Sequence, residues 1–207
     1  MVILFLVLAL VLLFIFGPIN VGSTYILRNM VRREPVFIWS DFWYAIRRNK
    51  KQGILFGILD AILIGVLAFD LVYFYKMLGT GFMTDLMFFI VLFITLIYFF
   101  MRFYIYIIMV TFDLSIKKIL KNSLIFAILG FKRNIMALLG IILMLGINLA
   151  LLLLLVPLNM MFPIILPVFY LLGFGGFMAA YAAYPTIDKY MIKPYNAPEE
   201  EGEDGEE

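Results

Sequence analysis

The sequence predicts an all-α polytopic transmembrane helical bundle of about five spans, with cytoplasmic amphipathic interfacial helices and a disordered acidic tail. Three observations predict it. Of 207 residues, 65% are hydrophobic and the mean hydropathy is +1.08, whereas a soluble domain is about 45–50% apolar even when glycine is counted. Charged residues make up only 14%, too few to cover a water-facing surface at 23.9 kDa. The apolar residues fall in runs of helix length without the alternation of a membrane β-barrel, which leaves helices as the spanning structure.

A helix crossing about 30 Å of hydrocarbon needs roughly 20 apolar residues. The spans are read near residues 1–16, 53–75, 86–112, 135–156 and 162–183, in a single transmembrane domain over 1–193, followed by the tail 194–207. The first run has no basic leader and no small-residue cleavage site after it, so it is expected to stay as a span. Sixteen residues rise only about 24 Å. Either this helix continues through Pro18, kinked there, or the protein starts upstream of Met1. The second run carries Asp60 and Asp70, and the third carries Arg102.

Charge sets the orientation. The segment between spans one and two holds Arg28, Arg32, Arg33, Arg47, Arg48, Lys50 and Lys51. The segment between spans three and four holds Lys117, Lys118, Lys121, Lys132 and Arg133, and Lys189 and Lys193 follow span five. Lys76 and Arg102 are the two exceptions. The positive-inside rule then predicts an outer N-terminus and a cytoplasmic C-terminus, with short outer connections at 76–85 and 157–163.

Two cytoplasmic segments read as interfacial helices. After a turn at Glu34-Pro35, Ser40 is placed as the N-cap, with Asp41 favouring the helix start. Trp39, Phe42, Trp43 and Ile46 then share one side, and Arg47, Arg48, Lys50 and Lys51 gather at the end. In the second segment Ile116, Ile119, Leu120 and Ala127 oppose Lys117, Lys118 and Lys121. Both segments run acid, basic pair, asparagine (Asp41 to Asn49, Asp113 to Asn122), a weak internal repeat that interfacial helices also produce for physical reasons. Trp39, Trp43, Arg47, Arg48, Lys117, Lys118 and Lys121 form the candidate partner surface. Anionic lipid or a cytoplasmic partner is expected on these clusters, against the plainer reading that the charges only set topology. Nothing here points to nucleic acid. The tail holds seven acids between Glu199 and Glu207 and reads as a solvated, disordered end; without it the net charge rises from +2 to +9.

Within the spans, ionisable groups are functional candidates because a charge there costs at least about 2.5–3.5 kcal/mol. Asp60 lies about 10 Å from the inner boundary and Arg102 about 6 Å from it. Their depths are close enough for an ion pair, which marks either a polar cavity or a packing register. Asn148 and Asn159 are expected to find interhelical hydrogen bonds, and small residues (Gly53 and Gly57 in one span; Gly173, Gly176 and Ala180 in another) permit close approach within the bundle or between subunits.

The composition excludes several activities. With no histidine and no cysteine there is no thiolate or imidazole metal site, no Ser-His-Asp relay and no disulfide. Ser115-x-x-Lys118 has the form of an acylating motif but lacks its companions. No phosphate or dinucleotide loop is present, so neither a cofactor nor enzymatic activity is expected.

Three blocks resemble the YesL family of bacterial integral membrane proteins (domain of unknown function 624). They are GPINVGSTYILRNMVRREPVFIWSDFWYAIRRNKKQ at 17–52, TFDLSIKKILKN at 111–122 and YPTIDKY at 184–190. The resemblance implies a multi-pass protein of the bacterial cytoplasmic membrane and a supporting role beside carbohydrate ABC transporters. It carries no catalytic or binding residues over. It also implies a further segment before the first span, and the acidic tail looks like an addition to the family pattern. The expected function is therefore a non-enzymatic accessory or scaffold protein linked to carbohydrate uptake. A small transporter or channel using Asp60 and Arg102 is the alternative, although an odd span count does not fold into two equal halves.

Overall fold

The computed structural model describes residues 2–158, 164–165 and 171–196, and every regular element among them is helical. The order is α1 (Val2–Val31), α2 (Ile38–Arg48), α3 (Lys50–Lys76), α4 (Phe82–Thr111), α5 (Ile116–Leu129), α6 (Phe131–Leu155) and α7 (Gly176–Ile187). One turn of π-helix flanks α7 on each side, at Leu171–Gly175 and Asp188–Ile192. The acids of the tail, Asn159, and residues 162–163 and 166–170 at the start of the fifth expected span lie outside the described residues.

The first expected span belongs to a 30-residue helix that runs through Pro18, about 45 Å long, so its shortfall in length disappears. What holds α1 in place there is contact with α3. A Cβ on Gly57 would lie 2.5 Å from the Cα and N of Gly17, and one on Gly17 would collide with the carbonyl of Gly53. The Gly53/Gly57 pair is thus used inside the bundle, against α1, where backbone packing replaces the hydrophobic effect that lipid removes. The small residues of this last expected span divide: on α7 Gly176 faces Leu27 and Ala180 is buried, whereas Gly173, in the π-helical turn before it, has open space around it.

The centre of the bundle is the second half of α4. Phe100 and every residue from Phe103 to Val110 are buried, which means neighbours on all sides of the helix. The rest of the molecule is arranged in the opposite way to a soluble protein. Phe69, Phe89, Leu143 and Leu153 are 62–71% exposed, and α3, α4 and α6 are each long and apolar enough to cross a membrane. An apolar exterior of this kind is stable only in lipid.

The basic segments meet at one end of the bundle. Arg28 of α1 bonds the end of α4, Gln52 at the start of α3 donates to the Leu114 carbonyl across 2.9 Å, and Arg32 lies over the Tyr184 ring of α7. Lys76 is at the opposite end, beside a turn that Asp85 organises by accepting from the Gly79 N–H across 2.7 Å, with Gly79 in the left-handed region.

Two local readings are corrected. α2 starts at Ile38 with Phe37 as its N-cap, so Ser40 lies inside the helix; Asp41 instead reaches back to accept from the Phe37 N–H across 2.9 Å. The two acid-to-asparagine segments are also not structurally equivalent. Asp41 is in the first turn of α2 and Asn49 caps its end, whereas Asp113 precedes α5 and Asn122 lies within it.

Candidate functional site

Asp60 occupies the interface of α3 and α4 and is fully buried. Its carboxylate accepts from three side chains of α4. The Tyr98 hydroxyl donates to Oδ1 across 2.7 Å, Arg102 Nε lies 3.0 Å from Oδ1 and 3.2 Å from Oδ2, and the Tyr106 hydroxyl donates to Oδ2 across 3.3 Å. The sequence places these donors together, because residues 98, 102 and 106 recur every four positions and form one stripe on a helix. Phe56, one turn before Asp60, packs edge-on against the Tyr106 ring at 5.4 Å. The structure therefore brings Asp60 and Arg102 together and adds two tyrosines that residue-by-residue reading missed. Tyrosine within a span reads as an apolar or interfacial ring, and only its spacing about Arg102 signals otherwise.

Chemically, this carboxylate is answered on both oxygens, and its contacts tie α3 to α4. Arg102 is less enclosed, with 27% of its side chain exposed. It lines a cavity of about 330 Å³ with Asn20, Thr24, Tyr106 and the small residues Gly175 and Gly176. No group of three or more carboxylates that could hold a metal ion occurs among the described residues.

Two further buried polar networks stand closer to the basic end. Arg28 is buried and donates to the Val110 carbonyl, to Thr111 Oγ1 and to Asn29 Oδ1. Asn134, fully buried, accepts from the Tyr104 hydroxyl across 2.9 Å and donates to the Ala127 carbonyl across 3.0 Å, joining α4, α5 and α6. Gly130 makes that possible, since a Cβ there would run into the Tyr104 hydroxyl. Asn148 is also buried and has a partner.

The interfacial candidates lie on the outside. α2 is fixed to α1 by Ala45, fully buried, by Phe42 seated on Gly22, and by Tyr44 edge-on to Tyr25 at 5.7 Å. That anchoring turns Trp39 outward, 75% exposed, and Trp43 beside it, the two rings 5.8 Å apart and edge to face. With Arg47 and Arg48 they line a shallow groove confined to α2. On α5, Ile119, Ser123, Phe126 and Ala127 are buried while Lys117, Lys118 and Lys121 are exposed. These lysines do not join the α2 groove. The closer meeting is a cleft where Arg47, Arg48, Lys50 and Lys51 face Phe112 and Asp113.

The family model described as "Protein of unknown function, DUF624" matches residues 1–71. The match covers α1, α2 and α3 as far as Leu71, including Arg28, the glycine crossing and Asp60. Of the three blocks on which the resemblance was read, it includes the first; 111–122 and 184–190 lie beyond it. No curated protein and no solved structure shows significant similarity to the chain.

Proposed function

We propose that the protein is a non-enzymatic accessory or scaffold component of the bacterial cytoplasmic membrane, with its basic end in the cytoplasm, its N-terminus outside and a carbohydrate ABC permease as partner. The observation that carries this reading is the outward face of α2. Trp39 and Trp43 project from a helix that three contacts hold against α1, next to Arg47 and Arg48. A rigid helix presenting aromatic and arginine side chains has the composition of an interface centre. The charge asymmetry supports the orientation. The link to carbohydrate uptake comes from the family resemblance alone.

The competing transporter reading finds less support. A carboxylate with no exposure and three donors is poorly disposed to bind and release a passing ion, since each exchange must break the network that satisfies it. Affinity capture of the full chain from native membranes, paired with solute flux in liposomes, tests both. Recovery of a sugar permease without flux supports the scaffold, and its loss in Trp39→Ala/Trp43→Ala assigns the docking to α2. Flux abolished by Asp60→Asn rejects the scaffold in favour of transport.

A further inference from the structure

Beyond any docking role, the bundle contains a groove of about 700 Å³ between α6 and α7, within the range of roughly 300–1,000 Å³ typical of ligand sites. Its two walls run antiparallel and change polarity together. On α6, Arg133 at the basic end gives way to Met136 and Gly140; on the α7 side, Tyr184 gives way to Met178 and Phe174. One end is thus cationic and hydroxyl-bearing, and the other, two helical turns deeper, is apolar. Gly140 makes the floor, because a Cβ there would meet Met178 Sδ at 2.8 Å.

The charge at the mouth is specific. Asp188 also lines the groove, but Lys193 Nζ lies 3.5 Å from its carboxylate. Arg32, over the Tyr184 ring, is paired with Glu34 at 2.7 Å. Among the described residues Arg133 has no carboxylate within ion-pair distance. The mouth therefore carries one exposed guanidinium with no carboxylate partner, in a groove that Tyr184 also lines and that continues into an apolar slot.

We infer that this groove is a binding site for one anionic phospholipid, with its phosphate on Arg133 and Tyr184 and an acyl chain along Met136, Gly140, Phe174 and Met178. Guanidinium matches phosphate as a forked donor, and the apolar slot accepts a chain that a soluble phosphate lacks. A free anion has no use for the slot, and a zwitterionic lipid gains less at the mouth.

Native mass spectrometry of the full-length protein, after exchange into phosphatidylglycerol or phosphatidylcholine vesicles and gentle detergent extraction, tests the site. One phosphatidylglycerol per chain is expected to stay bound, in preference to phosphatidylcholine. Arg133→Gln should reduce retention about fivefold, the effect of one basic residue near an anionic headgroup. Arg133→Lys, which keeps the charge and loses the fork, should fall between the wild type and Arg133→Gln. Lys132→Gln, which removes an equal charge outside the groove, should leave retention unchanged. Met136→Trp, at an exposed wall position, should also lower retention by narrowing the slot, with helicity by circular dichroism showing that the variant is folded. Equal losses in Arg133→Gln and Lys132→Gln would reduce the effect to diffuse surface charge, and equal retention of both lipids, or of phosphatidylglycerol by all variants, would remove the site.

Discussion

Arg28 Nη1 donates to the Val110 carbonyl across 3.0 Å, tying the end of α1 to the last turn of α4. The same guanidinium reaches Thr111 Oγ1 at 3.2 Å, grips Asn29 Oδ1 at 2.7 and 3.1 Å, and lies 4.5 Å above the Tyr25 ring. It is buried with neutral acceptors around it, at a helix C-terminus where the aligned peptide dipoles favour a cation. The fork geometry is essential, because a lysine cannot make the divided contacts. Arg28→Lys should lower the unfolding free energy by about 2 kcal/mol, the scale of lost hydrogen bonds to a charged group. Equilibrium unfolding in mixed micelles measures it, and a loss no larger than that of Arg48→Lys on the surface would reduce Arg28 to a topological charge.

Asp60 and Arg102 are expected to be strongly coupled. Removing one partner of a buried pair leaves an uncompensated charge, which costs about 3–5 kcal/mol, whereas removing both leaves none. Asp60→Asn and Arg102→Gln should therefore each destabilise more than the double change. Tyr98→Phe removes one donor of 2.7 Å and should cost about 1 kcal/mol. Strictly additive losses in a double-mutant cycle would show that the two groups do not depend on each other.

How far this site was legible in the sequence follows from the kind of signal each residue carries. Charge inside an apolar run stands out, and depth along antiparallel helices is arithmetic, so Asp60 could be matched to Arg102. Tyr98 and Tyr106 carry no such contrast. Arg28 was hidden for a different reason: it is one of seven basic residues in its segment and has the same topological value as the rest. Only the three-dimensional meeting of α1 with α4 distinguishes it. Asn134 fell one position before the expected start of its span, where polar residues attract no notice. The first run was too short for a span unless its helix continued through Pro18, and α1 does continue through it, packed at backbone distance against Gly53 and Gly57. Long helices were legible from hydropathy; what each buries depended on close approaches that local pattern does not encode.

That crossing gives a prediction with an internal control. Gly57→Val inserts side-chain atoms where a single Cβ would already lie 2.5 Å from the Gly17 backbone, and backbone cannot yield as a flexible side chain does. A loss of about 1–3 kcal/mol is expected, the range for overpacking. Gly65, on the same helix, has nothing within 4 Å of a built Cβ, so Gly65→Ala should instead gain up to about 1 kcal/mol from helix propensity. Thermal unfolding in detergent distinguishes them. Equal effects would mean that α1 and α3 are not in backbone contact.

The end of α1 holds a correctable strain. Glu34 N–H bonds the Asn29 carbonyl at 3.0 Å and Arg33 N–H bonds the Met30 carbonyl at 3.1 Å, the paired bonds of a Schellman cap with Arg33 in the position normally taken by glycine. Its φ of 58° is in the left-handed region, where a side chain costs about 1–2 kcal/mol. Part of that is offset in a glycine variant by the greater freedom of its unfolded chain. Arg33→Gly should consequently raise the unfolding free energy by about 1 kcal/mol, while Arg33→Ala, which removes the charge and keeps the Cβ, should not. Because Arg33 is one of seven basic residues in its segment, neither change should invert the topology, which cysteine-accessibility labelling at the Met77–Gly81 turn can verify. A gain in Arg33→Ala equal to that in Arg33→Gly would attribute the effect to relief of charge repulsion with Arg32 and not to backbone strain.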